Sequence, residues 1–281
     1  MTDTAIAGPP VVAASPGRGY AASFWGLMVR DAQVLRRQFW MFFARTVIQP
    51  FLTAFVFAYV FPRIGQGFGG NAGEVAGFGT ILLPGLIAFA IMFQGVSAVA
   101  LPLVNEFNVS REIEDRAMAP LPTSLVAIQK IAFGAIQALI AALVVFPCVW
   151  LVARDVTSLH VDSWFELILV LTLACLASAS LGLLLGTVFA PQTVPLIFSL
   201  IVIPVMFLGC TYYPWKALEA IRWLQILVLI NPLVYVSEGL RGALTPQVPH
   251  MSPWVTYGAL TIATLALGIS GTRSFRRRLL S

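Results

Sequence analysis

The sequence predicts an all-α integral membrane protein: six transmembrane helices, an N-terminal amphipathic interfacial helix and a re-entrant helical pair before the last span. Three observations lead there. Apolar residues make up 59% of the 281 and charged residues only 10%, with a mean hydropathy of +0.88. A soluble domain carries about 25% charge, so this chain has too few charges to cover a water-facing surface. Apolar runs recur at the length of about 20 residues that a helix needs to cross some 30 Å of hydrocarbon. Basic residues gather beside alternate runs, as the positive-inside rule requires. Composition therefore argues against a soluble enzyme, a nucleic-acid-binding module and a disordered protein.

The elements follow in order. Residues 1–21 contain Gly8, Pro9, Pro10, Pro16, Gly17 and Gly19 and read as a flexible cytoplasmic tail. Asp3 precedes any basic residue and no apolar h-region follows, which is not a signal-peptide pattern. Across 22–43 a helical step puts Phe24, Met28, Leu35, Phe39 and Phe42 on one stripe. Arg30 and Arg37 fall roughly opposite, and these two with Arg36 suit a helix lying among lipid head groups. The first span is Thr46–Ile64, followed by a glycine-rich loop through Gly79. Ile81–Val104, containing Pro84 and Pro102, is the second span, and Ser124–Val152 the third. Trp164–Phe189 and Val194–Thr211, separated by a tight turn, are the fourth and fifth; Ser252–Thr272 is the last. Ile221–Ile230 is too short to cross before Asn231-Pro232 interrupts it, so region 214–244 reads as a re-entrant pair. Residues 276–281 form a basic cytoplasmic tail.

Charge supports six crossings. With both termini in the cytoplasm, Arg18, Arg30, Arg36, Arg37, Arg45, Arg111, Arg116, Lys130, Arg273, Arg276, Arg277 and Arg278 lie inside. Arg63, Arg154, Lys216, Arg222 and Arg241 lie outside, so 12 basic residues face five. A seventh span across 221–242 would carry Arg276–Arg278 outside and spoil that asymmetry. Trp40, Trp150, Trp164 and Trp254 fall at span ends, where an amphipathic ring prefers the interface.

Catalytic signals are missing. His160 and His250 lie far apart, no metalloprotease or hydrolase motif occurs, and neither lysine is preceded by the glycines of a phosphate-binding loop. Cys148, Cys175 and Cys210 sit singly in apolar runs and read as small hydrophobes, so no metal site is expected. The polar groups deep in the spans are neutral: Gln94, Ser97, Gln137, Thr172, Ser178 and Ser180. Without a buried proton or sodium site, energy must come from a partner. The densest charge lies between spans two and three, where six of the eleven residues Glu106–Arg116 are ionised. Mixed signs with Phe107 and Ile113 suit a short helix docking in a groove on a soluble partner. A solvated loop that merely marks the cytoplasmic face fits equally well.

Three stretches carry a family resemblance. Glu106 to Pro122 is similar to the E-x-x-x-x-R-E-x-x-x-R…P-L-P segment of the membrane subunits of type-two ABC exporters. Tyr212-Tyr213-Pro214 resembles the aromatic-Pro that follows their fifth span. Asn231-Pro232-Leu-Val-Tyr235, with Glu238 and Arg241, resembles their N-P-L-x-Y…x-x-R pattern. The likeness spans about residues 22–275 and is nearest the daunorubicin-resistance-like drug-exporter branch.

The resemblance implies a permease of a bacterial plasma membrane, without its own ATPase site. It implies two copies of an ATP-binding subunit, which hold ATP and Mg, and a second permease copy, identical or paralogous. Segment 105–118 would couple to the ATPase through Glu106, Phe107, Arg111, Glu112, Ile113, Glu114, Asp115 and Arg116. The 22–43 helix would brace it. Phe89, Phe93, Gln94, Phe198 and Met206 would line the path, and Tyr213, Pro214, Asn231, Pro232, Tyr235, Glu238 and Arg241 form the re-entrant motif. The implied substrate is drug-like or lipid-like and amphipathic, moved out of the cytoplasm or inner leaflet. Polysaccharide and glycolipid exporters share the architecture. A membrane-embedded lipid-modifying enzyme would need acidic metal-binding pairs, of which Glu114-Asp115 is the sole adjacent example; a partner-independent transporter is disfavoured by the ion-poor spans.

Overall fold

The computed structural model describes residues 16–60, 72–106, 122–153, 161–189, 193, 200 and 203–280. All regular structure among them is helical. Helix α1, Pro16–Arg37, begins inside the segment expected to be a tail. It stops at Gln38, whose backbone (φ −105°, ψ 17°) leaves helical geometry, and α2 resumes at Phe39 and runs to Ala54. A π-type stretch prolongs it through Val60. The amphipathic helix therefore ends at Arg37 rather than residue 43, and the first helix able to cross a membrane is Phe39–Phe57. The run Phe39-Trp40-Met41-Phe42-Phe43 is apolar enough to start a span, and Arg45 is carried six residues inside it.

The next three spans match the sequence reading within one or two residues at most ends. Helix α3, Ala72–Asn105, starts earlier than expected, but its apolar crossing is Gly79–Val104. Helix α4 covers Thr123–Ala153 and α5 covers Trp164–Val188. Ser163 caps α5 by accepting the Glu166 N–H, which supplies one of the partners that a helix start lacks.

The expected fifth span, Val194–Thr211, falls largely outside the described residues. Its described end contains the short α6, Ile203–Phe207, and a turn at Cys210 with a positive φ of 54°. A 3₁₀ turn at Trp215–Ala220, then α7 (Arg222–Leu227) with a further 3₁₀ turn to Ile230, leads to α8 (Pro232–Leu244). The two limbs bend by 99° at Asn231, a re-entrant shape rather than a straight crossing. Helix α9, Pro253–Leu280, continues through the segment expected as a basic tail. The Arg278 guanidinium donates to the carbonyls of Gly186, Thr187 and Phe189 at 3.3, 3.0 and 2.7 Å. A cation on the unpaired carbonyls at the end of α5 holds this last part of α9 in the helical bundle. Five described helices are thus long and apolar enough to span a membrane, consistent with an all-α integral membrane protein.

Helix α3 forms the centre: 72% of its crossing is buried, against 17% for α9 and 22% for α2. Leu82, Leu83, Leu86, Ile91, Met92 and Leu103 lose nearly all contact with the surroundings. Small residues of Ala174–Gly186 let α5 approach it, as the sequence composition suggests. A Cβ on Gly182 would lie 2.6 Å from the Val96 carbonyl oxygen and one on Gly85 1.9 Å from that of Thr211. Only glycine admits those contacts.

Candidate functional site

Two polar clusters occupy opposite ends of α3. The first surrounds the re-entrant pair. Asn231 stands at the bend, where its side chain caps the second limb and ties it to α6. Its Oδ1 accepts the Leu233 N–H at 2.9 Å, capping α8, while Nδ2 donates to the Val205 carbonyl at 2.6 Å. Pro232 fills the first helical position, where its lack of an N–H is harmless. Tyr235 donates to the Leu229 carbonyl at 2.8 Å, and the Trp215 indole donates to that of Gln225 at 3.1 Å. Tyr213 reaches the Phe207 carbonyl, and Pro214 stands just before the 3₁₀ turn.

Glu238 and Arg241, one turn apart on α8, form a completely buried ion pair. The Glu238 carboxylate also accepts the N–H groups of Trp215 (2.9 Å) and Met251 (2.8 Å). Arg241 Nη2 donates to the Cys210 carbonyl at 2.9 Å and approaches that of Ile81 at 3.4 Å. The pair therefore pins the turn at Cys210, the 3₁₀ turn, the lead into α9 and the start of the apolar crossing of α3. A buried carboxylate and guanidinium are tolerated only when paired and hydrogen-bonded in this way.

The second cluster lies where α3 ends. Lys130 starts seven residues inside α4, and its ammonium donates to Glu106 at 2.7 Å and stands 3.8 Å from Asp31 of α1. Its aliphatic stem is buried while the charge reaches toward the helix end. Gln129 donates to Asp31 at 3.0 Å, and Arg30 pairs with it at 2.9 Å. Burial alone would raise the Asp31 pKa. Lys130, the Gln129 hydrogen bond and Arg30 together outweigh it and hold the carboxyl below its ordinary value. Above this network opens a cavity of about 590 Å³ between α1, α2, α3 and α4. Gln94, buried in α3, accepts from Thr46 at 3.3 Å and approaches Gln137 at 3.5 Å on its edge.

The predicted residues divide between these places. The re-entrant motif assembles as one connected unit. Of the coupling residues, Glu106 joins the second cluster, whereas Phe107, Arg111, Glu112, Ile113, Glu114, Asp115 and Arg116 lie outside the described residues. Arg30 faces the cavity; Arg36 and Arg37 are exposed in the last turn of α1. Phe93 and Gln94 stand beside the cavity, Phe89 stacks on Phe93 at 6.1 Å, and Met206 is buried in the core. Phe198 lies outside the described residues. Asp31, Gln129 and Lys130 were not expected as a unit. The available signal was Lys130 itself, an ammonium seven residues into an apolar run, with Asp31 the single acid of α1.

The family model for the membrane region of ABC-2 type transporters matches residues 22–245. The chain belongs to the ABC-2 type transporter family. This ABC-2 permease is 26% identical over 235 residues to the inner membrane transport permease YadH of Escherichia coli strain K12. That match covers 82% of this chain and 86% of the relative; the YadH protein of Shigella flexneri matches to the same extent. Membership makes the ABC-2 permease a multi-pass membrane protein and implies association with an ATP-binding subunit.

Proposed function

We propose that this permease exports an amphipathic, drug-like or lipid-like substrate from the cytoplasm or inner leaflet of a bacterial plasma membrane, both termini facing the cytoplasm. Two ATP-binding subunits supply ATP and Mg and drive a pair of permease copies, identical or paralogous; this chain contributes no ATPase site. Segment 105–118 docks on the ATPase. The observation that carries this reading is the Asp31–Lys130–Glu106 network, which ties α1 and α4 to the foot of α3 at the start of that segment. A displacement of 107–118 reaches α1 and α4 through part-buried charge-assisted bonds.

Alternating access follows from that connection. ATP binding closes the soluble pair, the docking segments follow, and the two permease halves exchange inward and outward openings. The substrate shifts this balance only by binding one state more tightly than the other. Phe93 and Gln94 beside a cavity with Leu101 and Phe133 in its wall favour an apolar body with a polar end over a sugar chain.

The test is purification of the tagged chain from its own host in mild detergent, with mass spectrometry and an ATPase assay of the eluate. An ATP-binding subunit co-purifies, and Arg111→Glu or Glu112→Lys releases it without preventing membrane insertion. Recovery of the chain alone, or an undisturbed complex in both variants, refutes the docking role of 105–118.

A further inference from the structure

Arg45 has no use in the coupling network. It lies six residues inside α2, and its guanidinium stands 5.5 Å from the centre of the Phe93 ring. That face-on contact is attractive but neutralises no charge. Among the described residues no carboxylate pairs with Arg45 and no hydrogen bond satisfies its five donors. The other charges of the cavity are engaged with one another: Lys130 with Glu106 and Asp31, and Arg30 with Asp31. Among the described lining residues the cations Arg30, Arg45 and Lys130 outnumber the acids Asp31 and Glu106 by one, and Arg45 is the cation with no carboxylate partner among them.

An ionised group within a spanning helix is costly and ordinarily finds a partner in the bundle or in a polar cavity. Here the cavity wall also offers a second donor. Gln94 Nε2 donates to Gln137 Oε1, while the amide nitrogen of Gln137 has no acceptor among the described residues. The remaining described wall is mostly apolar, with Phe42, Leu101 and Phe133 beside Gln38 and Ser97. A volume of about 590 Å³ holds a head group and the first part of a chain, not a whole lipid.

We propose that this cavity binds the oxyanion head group of an acidic amphiphile, with Arg45 as its anchor and the Gln137 amide as a second donor. A guanidinium presents paired donors that match a phosphate or carboxylate, and the apolar wall receives the adjoining chain. The proposal deepens the exporter reading and rests on it only for the claim that the ligand is cargo. Binding needs neither ATP nor the ATPase, so failure of one idea is distinguishable from failure of the other.

The experiment uses the full-length permease in neutral detergent, titrated with phosphatidylglycerol, phosphatidylcholine or inorganic phosphate and read by native mass spectrometry. The wild type retains phosphatidylglycerol about tenfold more tightly than phosphatidylcholine, and Arg45→Gln removes that preference. Arg45→Lys keeps part of it, and Arg273→Gln, away from the cavity, changes nothing. Gln137→Leu weakens phosphatidylglycerol binding about threefold and answers the same question if Arg45→Gln does not come out monodisperse. Equal retention of the two lipids, or unchanged binding in the Arg45→Gln and Gln137→Leu proteins, overturns the site. Displacement of phosphatidylglycerol by inorganic phosphate alone overturns the amphiphile and assigns the cavity to soluble oxyanions.

Discussion

The two ends of α3 use charge in opposite ways. At the re-entrant end, Glu238 and Arg241 are sealed from their surroundings and bound to four separate backbone segments. At the other end, Asp31, Glu106 and Lys130 border an open cavity and, among the described residues, link helices that flank it. The first arrangement fixes loop geometry, because every segment it holds must be in place at once. The second can exchange partners, because side-chain charges beside a cavity can be met by water or ligand. The difference separates a structural staple from the transmission point proposed above.

The sharpest way to break that comparison is to remove one half of the staple. Arg241→Ala or Glu238→Ala leaves the other charge buried and alone, at a cost of about 3–5 kcal/mol. Membrane yield and the melting temperature in detergent should fall steeply for each. Replacing both by apolar residues, Glu238→Leu with Arg241→Met, should recover part of the loss, although the N–H groups of Trp215 and Met251 stay without their acceptor. If the single substitutions melt like the wild type, the pair is not a staple.

A second large effect lies midway between the ends. Gly182→Leu drives a side chain against the Val96 backbone, and overpacking of this kind costs about 1–3 kcal/mol. Because α3 and α5 would separate, both ends should loosen together. Hydrogen exchange over Glu106 and over Met251 reports this; protection lost at one end only would mean that the ends are independent.

The re-entrant end was more legible in sequence than the cavity end, for a physical reason. Asn231-Pro232 carries its structure locally: a capping side chain and a fixed φ stop one helix and start the next wherever they occur. Glu238 and Arg241 were visible as a motif, but their burial was not, since nothing local states that four distant backbone segments converge on them. The boundary at Gln38 was misplaced because no proline or glycine marks it; the break falls where the apolar run from Phe39 begins. Arg45 was consequently counted among the cytoplasmic charges, although the helix carries it inside the span. Lys130 and Asp31 lie 99 residues apart, and only the approach of α1 to α4 pairs them.

At the cavity end, effects on function should exceed effects on folding. Lys130→Gln removes the cation between Glu106 and Asp31, worth about 1.5–3 kcal/mol for a charged hydrogen bond, but leaves both acids near water. The purified complex should keep its ATPase subunit yet lose most of the coupling between substrate and ATP turnover. A melting loss as large as that of Arg241→Ala, with coupling intact, would erase the distinction between the two ends.

The smallest expected effect concerns pH. The Asp31 carboxyl is held below its ordinary value of 3.8, so its contribution is fully present above that value. It is lost only as pH falls through the lowered value of the folded protein, where the carboxyl takes up a proton. Docking of α1 should therefore be constant from neutral pH down to about pH 5, well above the ordinary carboxylate range. A spin label at the exposed position Val29→Cys, in a Cys148→Ala background because Cys175 and Cys210 are buried, reads the mobility of α1 directly. Asp31→Asn should raise that mobility at every pH by weakening the seat on Gln129 and Lys130, at a cost of about 1 kcal/mol. A wild-type transition between pH 5 and 7 would place the docking of α1 under a different group and move the transmission point away from Asp31.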